Sequence, residues 1–106
     1  MVTLQDAYDE LGYDEVDDVI TRKVTRDLNA AKAMMRGAVG EDVEEYLPGD
    51  PRIDELVLYF LGEVHDCHGG GQKQAAARSR HAVDIELQLK MELRRKKEET
   101  AGGDNA

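Results

Sequence analysis

His65, Asp66, Cys67 and His68 form one run, with His81 further along, and these are the residues of this sequence that offer imidazole and thiolate groups of the kind zinc takes. Their spacing argues against a metal centre. Structural zinc sites draw on two separated ligand pairs, and successive side chains on a helix diverge by about 100°, so neighbours do not converge on one ion. The simpler role is a helix end, where imidazole complements the macrodipole and Cys67 acts as a small hydrophobe. Nucleophilic catalysis would need Ser79 or Cys67 beside a base, and neither sits in an elbow motif or next to an oxyanion-hole loop. Gly69, Gly70 and Gly71 are followed by no Gly-Lys-Ser/Thr and are fed by no strand, so they read as a hinge and not a phosphate cradle. The acidic groups near the N-terminus lack the alternating ligands and central Gly of a calcium loop. The expectation is a non-enzymatic chain with no catalytic residue, no metal and no cofactor.

The elements that carry these residues are mainly helical. Thr3 can cap a short helix over about 4–11, with Asp6 three positions on and Gly12 as its stop. Asp14 is then read as the cap of a long helix whose apolar stripe is Val16, Val19, Ile20, Val24, Leu28, Ala31, Met35 and Ala38, ending between Gly37 and Gly40. Residues 40–50 make a loop with Val43, Tyr46 and Leu47 as anchors, and Asp50-Pro51 starts another long helix over 51–68. Leu56, Val57, Tyr59, Phe60, Leu61 and Val64 give that helix an apolar surface wider than one face, so they are assigned to the core or to a subunit interface.

Residues 83–93 pose a conflict. Val83, Ile85, Leu87, Leu89, Met91 and Leu93 alternate with polar residues, a period-two strand pattern, yet Leu, Gln, Lys, Met and Glu are good helix formers. As a helix the six would fall into two opposed ridges, 83/87/91 and 85/89/93. We read the segment as an extended C-terminal arm, either a β-strand or a further helix, with the strand preferred and paired to a partner's sheet by β-augmentation. With Arg94 and Arg95 these six residues form the expected contact with a partner. The expected architecture is therefore a small helical bundle of one short and two long helices over 1–71, an arm over 72–97 and a frayed tail over 98–106.

Composition narrows the class further. The 106 residues include no Trp and one Phe, a thin core for an isolated monomer, which favours burying a face against copies of itself or a partner. A net charge of -9 argues against grasping nucleic acid, and residues 1–20 hold seven acids with no Lys or Arg, whereas 94–97 are all basic. A single cysteine and the absence of a charged, apolar leader pattern predict a cytoplasmic compartment. No apolar run approaches the roughly 20 residues that span a bilayer.

Three stretches carry a family resemblance: the opening Met-Val-Thr-Leu followed by Gly-Tyr-Asp-Glu-Val-Asp-Asp-Val-Ile, the run Asp-Pro-Arg-Ile-Asp-Glu-Leu-Val-Leu-Tyr-Phe-Leu-Gly-Glu-Val-His-Asp, and Ile-Glu-Leu-Gln-Leu-Lys-Met-Glu-Leu-Arg-Arg-Lys-Lys near the end. Over residues 1–97 the chain resembles the head-tail connector, or DNA-packaging, proteins of long-tailed bacteriophages. It departs from many of them at 65–68, where a Tyr-x-Asn-Arg-like ending is replaced by His-Asp-Cys-His. The resemblance implies a structural virion protein: a ring of about a dozen copies below the portal that extends the DNA channel and docks the tail or the next completion protein. DNA would pass without specific binding, and the chain would reside at the head-tail interface after assembly in the host cytoplasm. The alternative is a small helical regulatory protein that binds its partner as a dimer.

Overall fold

A computed structural model describes residues 1–68 and 80–104, and the described residues fold into five helices. Thr3 opens the first with a reciprocal capping box: its hydroxyl accepts from the Asp6 amide at 3.2 Å, and the Asp6 carboxylate accepts from the Thr3 amide at 3.0 Å. Those bonds from Thr3 hold the Asp6 carboxyl below its ordinary value. Helix α1 (Leu4–Leu11) stops at Gly12, whose φ of 82° is one that a side chain would strain.

Helix α2 (Asp18–Val39) begins later than the sequence suggested. Its cap is Asp17 and not Asp14, the Asp17 carboxylate accepting from the Ile20 amide at 2.8 Å. The reason is the crossing from α1. The Tyr13 amide is held on the Tyr8 carbonyl at 3.0 Å, so residues 13–17 serve to reach the start of the next helix. Val16 therefore lies outside α2 and Val19 on its outer side, 42% and 50% exposed, and neither joins the core stripe. Val24, Leu28, Ala31 and Met35 do join it, with Ile20 and Ala38 packed at its margin.

The expected loop over 40–50 contains one further turn, α3 (Val43–Tyr46), in which Val43 and Leu47 are buried and Tyr46 partly so. Helix α4 (Pro51–His68) starts at the Asp50-Pro51 signal, Asp50 Oδ1 accepting from the Arg52 amide at 2.9 Å. It packs chiefly on α2, with α1 and a last helix against its other sides. Leu56, Val57, Phe60 and Leu61 are fully buried within the chain, Leu58 and Tyr59 pack beside them, and Val64 is half-buried.

Residues 83–93 are not an extended strand. They are the middle of α5 (Arg80–Asp104). A lone strand would leave its backbone donors without partners, whereas a helix pairs them internally and suits the composition. Helical geometry then sorts the six apolar residues by ridge. Ile85, Leu89 and Leu93 enter the same core as α1, α2 and α4, while Val83, Leu87 and Met91 face outward at 44%, 55% and 66% exposure. Within the described residues, α5 thus belongs to the helical body and does not stand off as an arm, and it continues past residue 98 to Asp104. The expected hinge at 69–71 and the segment 72–79 lie outside the described residues.

Helix α5 runs antiparallel to α4, because Arg52 near the start of α4 reaches Glu92 while Glu55, one turn on, reaches His81. Asp27 on α2 meets His65 near the end of α4, so α2 and α4 are also antiparallel and α2 and α5 run the same way. The last turn of α2 leads into Gly40, with φ of 155°, where an added Cβ would fall 2.5 Å from Leu93 Cδ2. A glycine here lets α5 close onto the α2–α3 turn.

Candidate functional site

Two arrangements stand out once the helices are placed. The first is internal. Asp27 sits on the core face of α2 between Val24 and Ala31, and its side chain is 1% exposed, an unusual location for a carboxylate without strong partners. His65 Nδ1 lies 2.9 Å from Asp27 Oδ2, and Tyr13 Oη lies 3.0 Å from His65 Nε2. A carboxylate only accepts, so the tautomer that satisfies both contacts carries its proton on Nδ1, donates to Asp27 and accepts from the Tyr13 hydroxyl at Nε2. The two rings meet edge to face at 5.8 Å, and Arg26 Nε donates to Asp27 Oδ1 at 3.2 Å from the solvent side. Tyr, His and carboxylate in series resemble a proton relay in outline. Here the chain of bonds joins the α1–α2 crossing, α2 and α4, and with both His65 nitrogens engaged it acts as a polar lock on the bundle.

The second arrangement is the outward ridge of α5. Of the eight residues expected to contact a partner, Ile85, Leu89 and Leu93 are instead internal, whereas Val83, Leu87 and Met91 remain outside at steps of four. Arg94 continues the ridge and pairs with Glu98 at 3.3 Å, and Arg95 lies 4.0 Å from Glu99, both on the surface. Such exposed pairs hold these side chains only weakly. The inner side of the same helix is fixed by ions: Arg52 Nη2 contacts Asp50 Oδ2 at 2.7 Å and Glu92 Oε2 at 2.8 Å, and Lys97 Nζ contacts Asp42 Oδ2 at 2.8 Å. Arg52 holds the carboxyls of Asp50 and Glu92 below their ordinary values, and Lys97 does the same for Asp42. Helix α5 is thus fastened on one side and bare on the other.

The remaining sequence candidates are dispersed. His81 Nε2 lies 2.6 Å from Glu55 Oε1 on the surface, far in role from His65. His81 and Glu55 border a shallow cleft of 380 Å³ between α1, α4 and α5, with Glu10, Leu58, Tyr59 and Ile85. The side chains of Cys67 and His68, and the whole of Ser79, lie outside the described residues. Among the described residues no three His, Cys, Asp or Glu side chains gather in a way that would hold a metal ion, and no helix is long and apolar enough to cross a membrane. The seven acids of residues 1–20 are all exposed, so the charge segregation of the sequence becomes a surface property.

Sequence reasoning missed Asp27, although a signal was present: an acid at three residues from Val24 and four from Ala31 on an apolar stripe must find partners inside the protein. No family model, curated protein or solved structure matches this chain.

Proposed function

We propose that this chain is a non-enzymatic structural protein of a virion, a head-tail adaptor of a long-tailed bacteriophage. In this reading copies form a ring below the portal, extend the DNA channel, and present the surface on which the tail or the next completion protein docks. The observation that carries it is the bare ridge of Val83, Leu87 and Met91 on a helix whose other side is already locked into a finished core. An apolar row at helical spacing, left outside a chain this small, suits a protein that completes its burial against neighbours. The sequence around that ridge is also part of the resemblance to the connector proteins. The exposed acids of residues 1–20 suit a channel wall from which duplex DNA is repelled and along which it slides. The chain would then act in the host cytoplasm during assembly and in the virion afterwards, with the portal as one partner.

The test is to co-express the chain with the portal protein of the phage that encodes it and to image the purified complex. A ring of density below the portal that disappears when this chain is omitted is the expected result. A chain that never co-purifies with portal or particles, and behaves as a free dimer, would move the assignment to a small regulatory protein.

A further inference from the structure

The bare ridge of α5 has a counterpart at the other end of the molecule. Among the described residues, Val16 and Val19, at the entry to α2, are the other exposed pair of large aliphatic side chains close together in sequence, and they are displaced outward by the late start of that helix. Their surroundings are opposite in charge to those of the ridge. Asp14, Glu15, Asp17 and Asp18 flank the valines, and with Arg22 and Lys23 one turn beyond Val19 the entry to α2 stays acidic on balance. Arg94 and Arg95 extend the ridge beyond Met91, with Lys96 and Lys97 next to them, and the exposed pairs with Glu98 and Glu99 offset only part of this basic charge.

The two patches cannot meet within one chain. Helices α2 and α5 run the same way, and Leu93 packs at Gly40, the far end of α2. The 22 residues of α2 span about 33 Å, which separates its acidic entry from the basic half of α5. Nor does the ridge suit pairing with itself side by side. A parallel arrangement would set Arg94 against Arg94, and an antiparallel one centred on Leu87 would set Arg94 against Arg80, so like charges in register oppose association.

We propose that copies of this chain dock head to tail, the base-flanked ridge of Leu87 and Met91 on one copy lying against the acid-flanked Val16 and Val19 of the next. This deepens the adaptor reading, on which it rests, by naming the surfaces through which neighbours in a ring touch. Unlike patches on opposite ends of a protomer give a heterologous contact, the kind that closes into a ring when the rotation between copies permits. Each contact is small and partly electrostatic. It is therefore weak singly, strengthened by closure of the ring, and sensitive to salt.

Cross-linking separates this contact from the alternatives. Two full-length chains are prepared with Cys67→Ser, one also carrying Val19→Cys and the other Leu87→Cys, and they are mixed at low salt with a short bismaleimide. The expected product is the mixed 19–87 adduct, its yield falling several-fold at high salt, with little adduct from either chain alone. Adducts formed mainly by the Leu87→Cys chain with itself would establish a two-fold pairing of ridges and overturn the proposal, as would the absence of any adduct. In a second arm, Arg94→Glu with Arg95→Glu should lower the mixed yield several-fold, and Asp14→Lys with Glu15→Lys on the other chain should restore it. These positions are exposed, and unchanged circular dichroism confirms that the variants fold. Loss without rescue would remove the charge-guided docking. A ring on the portal without the 19–87 adduct would leave the adaptor reading standing and discard this contact, whereas the adduct without portal association would do the reverse.

Discussion

Helices α4 and α5 both carry more apolar residues than a one-sided helix needs, yet they dispose of the surplus in opposite ways. Helix α4 has α1, α2 and α5 around it, so Leu56, Val57, Phe60 and Leu61 are fully buried and Leu58 and Tyr59 pack at the margin. Among the described residues, helix α5 has neighbours on one side only. Ile85, Leu89 and Leu93 are internal, and Val83, Leu87 and Met91 are left to solvent. An apolar surplus in a sequence therefore measures how many neighbours a helix can use, and whether the chain itself supplies them depends on position in the bundle. The excess on α4 is internal architecture, and that on α5 stays at the surface.

The contrast breaks most visibly at Phe60, the largest fully buried side chain among the described residues. Phe60→Ala should destabilise the protein by about 3 to 5 kcal/mol, measured by chemical denaturation. A loss below about 1 kcal/mol would take α4 out of the centre. Within α5 the contrast is sharper, because it sets one leucine against another two residues away. Leu89→Ala should cost about 2 to 5 kcal/mol, and Leu87→Ala no more than about 0.5 kcal/mol. Equal losses at the two positions would mean that the ridges are not distinct.

The same two leucines show why part of the fold was readable and part was not. The capping box at Thr3 and Asp6, the stop at Gly12 and the start at Asp50-Pro51 depend on neighbours in sequence, and local rules located all three. Steps of two along α5 are ambiguous by geometry: two residues turn a helix by about 200°, so strict alternation marks either one face of a strand or two opposed ridges of a helix. Composition favoured the helix, and a core able to take one ridge decides for it. The cap of α2 moved from Asp14 to Asp17 because Tyr13 is held by Tyr8 and His65, and the second of those contacts spans 52 residues. The polar lock was hidden for the same reason. Asp27 and His65 lie 38 residues apart, and nothing local announces that they touch.

That lock is a polar counterpart to the apolar packing of α4. Replacing Asp27 by Asn keeps the shape but removes the charged acceptor for His65, and should cost about 1.5 to 3 kcal/mol. Tyr13→Phe removes only the outer hydroxyl and should cost about 0.5 to 1.5 kcal/mol. If the three side chains work as one unit, the double variant will lose less than the sum of the two single losses in a double-mutant cycle. Strict additivity would separate Tyr13 from the lock.

The smallest expected effect concerns how the inner side of α5 is fastened, and it appears as a dependence on pH. Arg52 lowers the Asp50 and Glu92 carboxyls below their ordinary values of 3.8 and 4.5. A carboxyl with a lowered value in the folded state binds its proton more weakly there than in the unfolded chain. Its contribution to stability is therefore fully present above the ordinary value and is lost as pH falls through the lowered one. The expected window opens near pH 4.5 and extends downward. In Arg52→Gln both carboxyls return toward their ordinary values, so the acid limb of the stability curve should become shallower, with a modest loss at neutral pH because the cluster is partly open to water. Asp42, held by Lys97, and Asp6, held by Thr3, keep their own acid dependence and leave a residual slope in the variant. Denaturation midpoints followed from pH 7 to pH 2 test this directly. An acid limb unchanged by Arg52→Gln would show that the Arg52 ion pairs contribute nothing to the docking of α5, leaving it to Ile85, Leu89 and Leu93 and to the pair of Lys97 with Asp42.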